Sequence, residues 1–176
     1  MHRNIWFTLS FKNDARVMKY AAERHTAAVA QLTASLSADS NFTTMCAFQP
    51  LSHVIAQHGI QNGGNVMGLD YWMKAGDGHG GDNGILLLLE LGVQGAENEA
   101  MAYPIMKAWA DEVEAYAREL GVGWGWKYLN YAGREQDPLA TIGPVALERL
   151  RAAARRYDPD GVFQTLRGSG FKIPEV

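Results

Sequence analysis

Residues 5–11 alternate strictly: Ile5, Phe7, Leu9 and Phe11 are separated by Trp6, Thr8 and Ser10. That period of two predicts a strand with one buried face. From Asp14 the period lengthens, and Val17, Ala21, Ala28, Leu32 and Leu36 fall on one helical face, with Asn13 placed to cap the first turn. Residues 42–49 read as a second strand closed by Pro50, followed by a short helical stretch over 54–58 that Gly59 ends. Residues 60–84 are rich in glycine and read as a surface loop. The run 85–93 is a third strand, and its unbroken apolar stretch 85–89 marks it as buried. A second amphipathic helix runs to Leu120 with Ile105, Trp109, Val113, Tyr116 and Leu120 inward and Pro104 in its first turn or at a kink. Residues 127–131 suit a last short strand. Gly143-Pro144 opens a helix carrying Val145, Leu147, Leu150, Ala154 and Tyr157, and Asp158-Pro159-Asp160-Gly161 is a turn.

This order describes an α+β fold: an antiparallel β-sheet with helices packed on one face, a C-terminal helix and an extended tail. The second face of such a sheet must meet water, a ligand or another domain. Trp6, Trp124, Trp126 and Tyr128 are costly to leave in water, so a cover is expected there.

Composition narrows the function classes. The 176 residues fit one domain, and 47% hydrophobic against 20% charged residues exclude extensive disorder. A formal charge of −3 argues against a nucleic-acid partner. The single cysteine, Cys46, excludes an intramolecular disulfide and a cysteine-rich zinc site. The N-terminus lacks the pattern of a signal peptide, and the run 85–89 is far short of the ~20 residues a membrane helix needs, so no membrane partner and a cytoplasmic location by default are expected. Asn41-Phe42-Thr43 is a formal glycosylation sequon, a triplet that often arises by chance.

Most isolated chemistry is weak. His79 lies among glycines, but the pattern is not a G-x-G-x-x-G between strand and helix, nor a Walker loop. His53 and His58 are five apart, the wrong spacing for two ligands on one helical face, and no metal site is expected. Cys46 reads as a buried inert thiol, and no serine sits in a G-x-S-x-G elbow. Glu90 is the only charge in the strand 85–93.

The C-terminal third carries a spaced set of unusual words: Tyr128-Leu129-Asn130-Tyr131, Gln136-Asp137-Pro138-Leu139, Arg156-Tyr157-Asp158-Pro159-Asp160-Gly161-Val162-Phe163 and Gly170-Phe171-Lys172-Ile173. Upstream stand Phe11-Lys12-Asn13-Asp14-Ala15, Phe42-Thr43-Thr44, Phe48-Gln49-Pro50-Leu51 and Gly63-Gly64-Asn65 followed by Gly68-Leu69. Together they resemble fungal berberine-bridge-enzyme-like oxidoreductases of the vanillyl-alcohol-oxidase superfamily, over nearly the whole chain.

The resemblance implies FAD as cofactor. It implies that residues 1–120 are part of a substrate-binding α+β domain and that 121–176 are the family's C-terminal segment. The similarity reaches only the later half of the substrate domain and that segment; the flavin-holding domain, with its pyrophosphate loop and its covalent His and Cys, is not matched, so neither His79 nor Cys46 takes those roles. By the same resemblance Tyr128 and Asn130 are flavin contacts, and Tyr131 occupies the position of a catalytic base. In an extended segment, residues 128 and 130 would point to one face, with 131 pointing to the other or turned by a bend. A tyrosine, with an ordinary pKa near 10, is a poor base at pH 7; closing a gap of about three units takes roughly 4 kcal/mol from cations, a carboxylate or coupling to hydride loss. Lys127 is adjacent but would point away, and Glu90 is the carboxylate to test first as a partner of substrate or tyrosine. From the residues alone, Tyr128 and Tyr131 also read as sheet residues packed on the last helix, Glu90 as half of an ion pair with an arginine, and Arg151, Arg155 and Arg156 as a solvated helix face.

The expected function is that of an FAD-linked oxidoreductase, whole or in part, oxidising or oxidatively cyclising a small natural product by hydride transfer to flavin. Two alternatives stand: a flavin-free cyclase using the sheet face as an apolar pocket, and a non-catalytic truncated or split half. In that last case the exposed sheet face would dock on a flavin-binding partner chain or form a homodimer.

Overall fold

The computed structural model describes residues 1–74 and 81–174. Its centre is a four-stranded antiparallel sheet of order β2-β3-β1-β4. The strands are β1 (His2–Lys12), β2 (Thr43–Leu51), β3 (Gly84–Gln94) and β4 (Gly123–Trp124). All 11 residues of β1 pair with β3. β4 meets β1 only at Ser10 and Phe11. The fold is α+β, as the element order predicts.

On one face, α1 (Ala15–Ser35) and α4 (Ala96–Glu119) cover the sheet. Ile5, Phe7, Leu9 and Phe11 of β1 and Leu87, Leu89, Leu91 and Val93 of β3 meet Val17, Ala21 and Leu32 of α1 and Met106, Trp109 and Val113 of α4. Burial of this apolar surface is the main favourable term of the fold, at about 25 cal/mol per Å². The cap of α1 is Asp14, whose carboxylate accepts from Arg16 N at 2.8 Å, not Asn13. The Arg16 guanidinium holds that carboxyl down at about 2. In α4, Pro104 stands in the interior rather than the first turn.

The second face is not left to a partner along its whole length. Two helices, α2 (His53–Gln61) and α3 (Leu69–Met73), lie there with the segment that follows β4. Ala56, Leu69, Met73, Leu86, Trp124 and Trp126 form a second buried cluster. The expectation of helices on one face only is therefore corrected. The loop predicted over 60–84 contains α3, whose Leu69 and Met73 are buried. Gly68, in the left-handed region at φ +66°, lies so close to the Ile142 carbonyl that a Cβ would come within 1.6 Å of its oxygen. The glycines and His79 of residues 76–80 lie outside the described residues.

Other boundaries moved for local reasons. β2 continues through Pro50, because β2 is an edge strand and the missing N–H costs no ladder bond. α2 runs past Gly59 to Gln61. α5 (Pro144–Tyr157) and α6 (Val162–Thr165) close the chain. No helix among the described residues is long and apolar enough to cross a membrane.

The α1–α4 seam holds a titratable group. The His25 ring stacks on Trp109 at 4.8 Å with a 13° interplanar angle, and its Nε2 is buried without a hydrogen-bond partner among the described residues. Burial pushes the imidazole below its ordinary value of 6.5. The native state therefore binds fewer protons than the unfolded chain in this range, so stability is complete above the unfolded value and is lost as pH falls through the lowered native one. We expect the thermal midpoint to drop between about pH 7 and pH 5, and His25→Phe, which keeps the stack, to flatten that dependence. Equal slopes for both proteins would contradict the assignment.

Candidate active site

The even-numbered residues of β1 face the second side of the sheet, and register aligns them in rows. Met45, Glu90 and Trp6 form one row across β2, β3 and β1. Ala47, Leu88 and Thr8 form the next, and Gln49, Leu86 and Ser10 the third. The third row lies under the second core cluster. At the first row that cover ends: Trp6 and Glu90 are partly exposed and Met45 is 43% exposed.

A chain of aromatic rings leads from the closed end to the open one. Trp126 meets Tyr128 at 5.7 Å, Tyr128 meets Tyr131 edge-on at 5.0 Å, and Tyr131 meets Trp6 edge-on at 5.7 Å. Gln49 Nε2 donates to the Tyr131 hydroxyl at 3.4 Å, so Tyr131 touches side chains from both β1 and β2. Asn130 is exposed, and its amide donates to the Tyr128 hydroxyl at 2.9 Å.

The predicted strand over 127–131 is absent, and of the two arrangements expected for Tyr131, opposed facing or a bend, the bend is the one found. Residues 128–131 instead form a turn closed by Tyr131 N donating to Tyr128 O at 3.0 Å, which brings both rings to one side. The reason is competition for the backbone. Ser10 Oγ donates to Trp126 O at 2.6 Å, and Lys127 N donates to Thr141 Oγ1 at 3.0 Å, so these groups have no ladder to join. The Lys127 side chain points away from the tyrosines and pairs with Glu114 of α4 at 2.6 Å. The packing of the tyrosines is on Trp126 and Trp6, not on the last helix.

Glu90 lies beside Trp6 in register, and among the described residues its carboxylate has neither an ion pair nor a hydrogen bond. The arginine pairing that a lone strand carboxylate invites is not present. The structure thus places Tyr128, Asn130 and Tyr131 together, with Glu90 in the row beneath. Trp6 and Gln49 complete the group; alternation along their strands was the signal that could have put them on this face.

A cleft of about 260 Å³ opens on the far side of Trp6, between Glu99 and Tyr103 of α4 and residues 132–134. Arg134 spans it, 4.1 Å from the centre of the Tyr103 ring. The other singled-out residues have structural roles. Cys46 faces the main core, and burial pushes its thiol up to about 11. His53 caps against Asn83, with both N and Nδ1 on Oδ1 at 2.9 and 3.0 Å. No group of residues suited to a metal occurs among the described residues. Of the C-terminal words, Asp158 caps α6 through Val162 N and Phe163 N, and Lys172 donates to the carbonyls of Phe163 and Arg167.

Known proteins match this chain over nearly its whole length. The FAD-dependent monooxygenase drtC of Aspergillus calidoustus is 36% identical over 174 residues, covering 99% of this chain and 31% of that protein. The chain is a homologue of these FAD-dependent proteins. The FAD-dependent monooxygenase sdcF of Emericella nidulans is 29% identical over 98% of the chain and 34% of its own length. The chain thus spans about a third of the relatives it matches. The crystal structure of 6-hydroxy-D-nicotine oxidase from Arthrobacter nicotinovorans shares the fold, with a TM-score of 0.52 and 19% identity over 98% of this chain and 32% of that one. No family model matches.

FAD is the cofactor named for those relatives, and the residues of this chain suit part of it. The Trp6 indole N–H is buried without an acceptor among the described residues, next to the Tyr131 ring. An isoalloxazine offers a flat ring for such a platform and carbonyl acceptors along its edge. The diphosphate is less well served: Arg134 is the one cation lining the cleft, and it is engaged with Tyr103.

The aromatic group depends on a close approach. A Cβ on Gly133 would lie 2.2 Å from the Trp6 carbonyl oxygen. Gly133→Ala should push the turn off β1, costing about 1–3 kcal/mol and altering the near-UV circular dichroism of the Trp6–Tyr131–Tyr128 group. An unchanged spectrum and midpoint would show that the contact is not made.

Proposed function

We propose that this chain forms the substrate side of a berberine-bridge-like FAD-linked oxidoreductase that oxidises, or oxidatively cyclises, a small natural product. The observation that carries this reading is the exposed end of the aromatic row, where Trp6, Tyr131 and Glu90 converge on a face the chain's own helices leave open. The flavin, when bound, supplies the two-electron acceptor that takes hydride from a substrate carbon.

The chain's own residues then handle the proton and the orientation. Tyr131, as its phenolate, takes the proton the substrate gives up as hydride leaves, so the substrate loses one of each. Gln49 Nε2 donates to that oxygen; at 3.4 Å the contact is long, and such bonds shorten when the acceptor is charged. Glu90, between Met45 and Trp6 in the first row, accepts from a substrate hydroxyl or ammonium. Trp6 and Tyr128 provide flat, apolar walls that hold a ring and exclude water.

A second polypeptide segment, in the same chain or a partner, holds the flavin. Supporting this, the C-terminal helices expose apolar side chains that gain nothing in water: Val145 is 67% exposed, Tyr157 74%, Phe163 67% and Leu166 79%.

The test is a pair of titrations followed by tryptophan fluorescence, one with riboflavin and one with FAD. Both should quench weakly and with similar affinity, because only the ring is recognised here, and Trp6→Ala should weaken both. Binding of FAD tenfold or more tighter than riboflavin, about 1.4 kcal/mol, would place a diphosphate site on this chain and overturn the division of labour. Absence of quenching by either would overturn the flavin-facing role.

A further inference from the structure

We propose that Gln136 is the positioning residue that sets Tyr131 over Trp6, by standing in for one residue of a missing strand. The proposal rests on the reading of Tyr131 as a site residue for its functional meaning, but its geometry is independent of any flavin.

The even-numbered residues of β1 turn their backbone groups toward the outer edge. Lys12 N donates to Val122 O at 2.9 Å, and Ser10 pairs with Trp124. Beyond Ser10 the partner strand ends, and Thr8 is fully buried, so its N–H and C=O cannot turn to water. The Gln136 carboxamide satisfies both. Its Oε1 accepts from Thr8 N at 3.0 Å and its Nε2 donates to Thr8 O at 2.9 Å. The same Oε1 accepts from Gly133 N at 3.0 Å, while Gln136 N donates to Gly133 O at 3.0 Å.

One side chain therefore locks the turn 133–136 and fastens it to β1 at a single register. Two residues along β1 from Thr8 stands Trp6; two residues before Gly133 stands Tyr131, whose ring meets Trp6. Few side chains can do this. Glutamine has both a donor and an acceptor at the reach required; glutamate keeps only acceptors when ionised, and leucine fills the space with neither. The role extends to chemistry because a base must sit within about half an ångström of its working position, and Tyr131 has no helix or strand of its own to fix it.

The test uses the full chain labelled with ¹⁵N. In Gln136→Leu, the Trp6 indole resonance should shift in the same direction as in Tyr131→Leu, which removes the ring that shields it, while the Trp109 indole in the α1–α4 core stays in place. Exchange of the Thr8 and Gly133 amides should speed up together, by roughly tenfold for the loss of a buried hydrogen bond. Gln136→Glu, which retains the two acceptor contacts, should give a smaller indole shift, and it serves if the leucine variant does not fold. A residue that merely stabilised the fold would lower the thermal midpoint and leave the native indole position unchanged. A Trp6 indole that coincides with wild type in both variants overturns the proposal. Riboflavin affinity is read separately: failure of the wild-type chain to bind it counts against the flavin-facing role, and the indole shifts still decide for or against Gln136.

Discussion

Strand β1 is the constraint on which the molecule turns. It pairs with β3 along its full length, and it is buried on both faces from Phe7 to Phe11. Its odd residues build the core under α1 and α4, and its even residues floor the opposite side. A slip of one residue would carry Trp6, Thr8 and Ser10 into that core and Phe7, Leu9 and Phe11 out of it, so packing on one face fixes the position of every group on the other. The candidate site is thus held by the same burial energy that holds the fold.

The second face is asymmetric, and that asymmetry shapes the candidate site. At the Ser10 end, two tryptophans and α3 seal Leu86. At the Trp6 end the sheet carries a carboxylate and an indole, the Tyr131 phenol meets that indole from the turn 128–131, and Trp6 and Glu90 are left partly exposed. Between these ends the segment 124–136 crosses without forming a strand of more than two residues, and it is anchored instead by side chains: Ser10 on Trp126, Lys127 on Glu114, Thr141 on Lys127 N and Gln136 on Thr8. Anchors of this kind set individual positions, which suits a turn that presents two tyrosines side by side.

The C-terminal words divide into two kinds. Tyr128, Asn130 and Tyr131 belong to the open face, and Gln136 ties that face to β1. Asp158, Gly161 and Lys172 brace the chain's own end, through the cap of α6 and the carbonyls that Lys172 gathers. That bracing holds Phe163 and Leu166 in an ordered but solvent-exposed arrangement, an apolar surface with the properties of an interface.

Periodicity along the chain was sufficient for β1, β2 and β3, for α1 and α4 and for the α+β class, because those elements bury continuous stripes and their spacing records the burial; β4 and the segment after it carried no such record. The run 85–89 also carried more than strand identity: an unbroken apolar strand has both faces covered, which is what α3, Trp124 and Trp126 accomplish. α3 itself was hidden among glycines, although Leu69, Trp72 and Met73 have helical spacing, and five residues are too few for a period to stand out. The motif 128–131 was recognisable as a word, but not as a turn. Whether a short segment forms a strand depends on what claims its backbone, and here Ser10 takes Trp126 O from the other end of the chain, Thr141 takes Lys127 N, and Gln136 ties the adjoining turn to distant Thr8. Those long-range hydrogen bonds put Tyr128 and Tyr131 on the same side, beside Trp6 and Gln49. Local pattern determined the longer elements; only the tertiary structure decided the short ones and the arrangement of the candidate site, since that arrangement is made by contacts between elements and no single stretch of chain contains it.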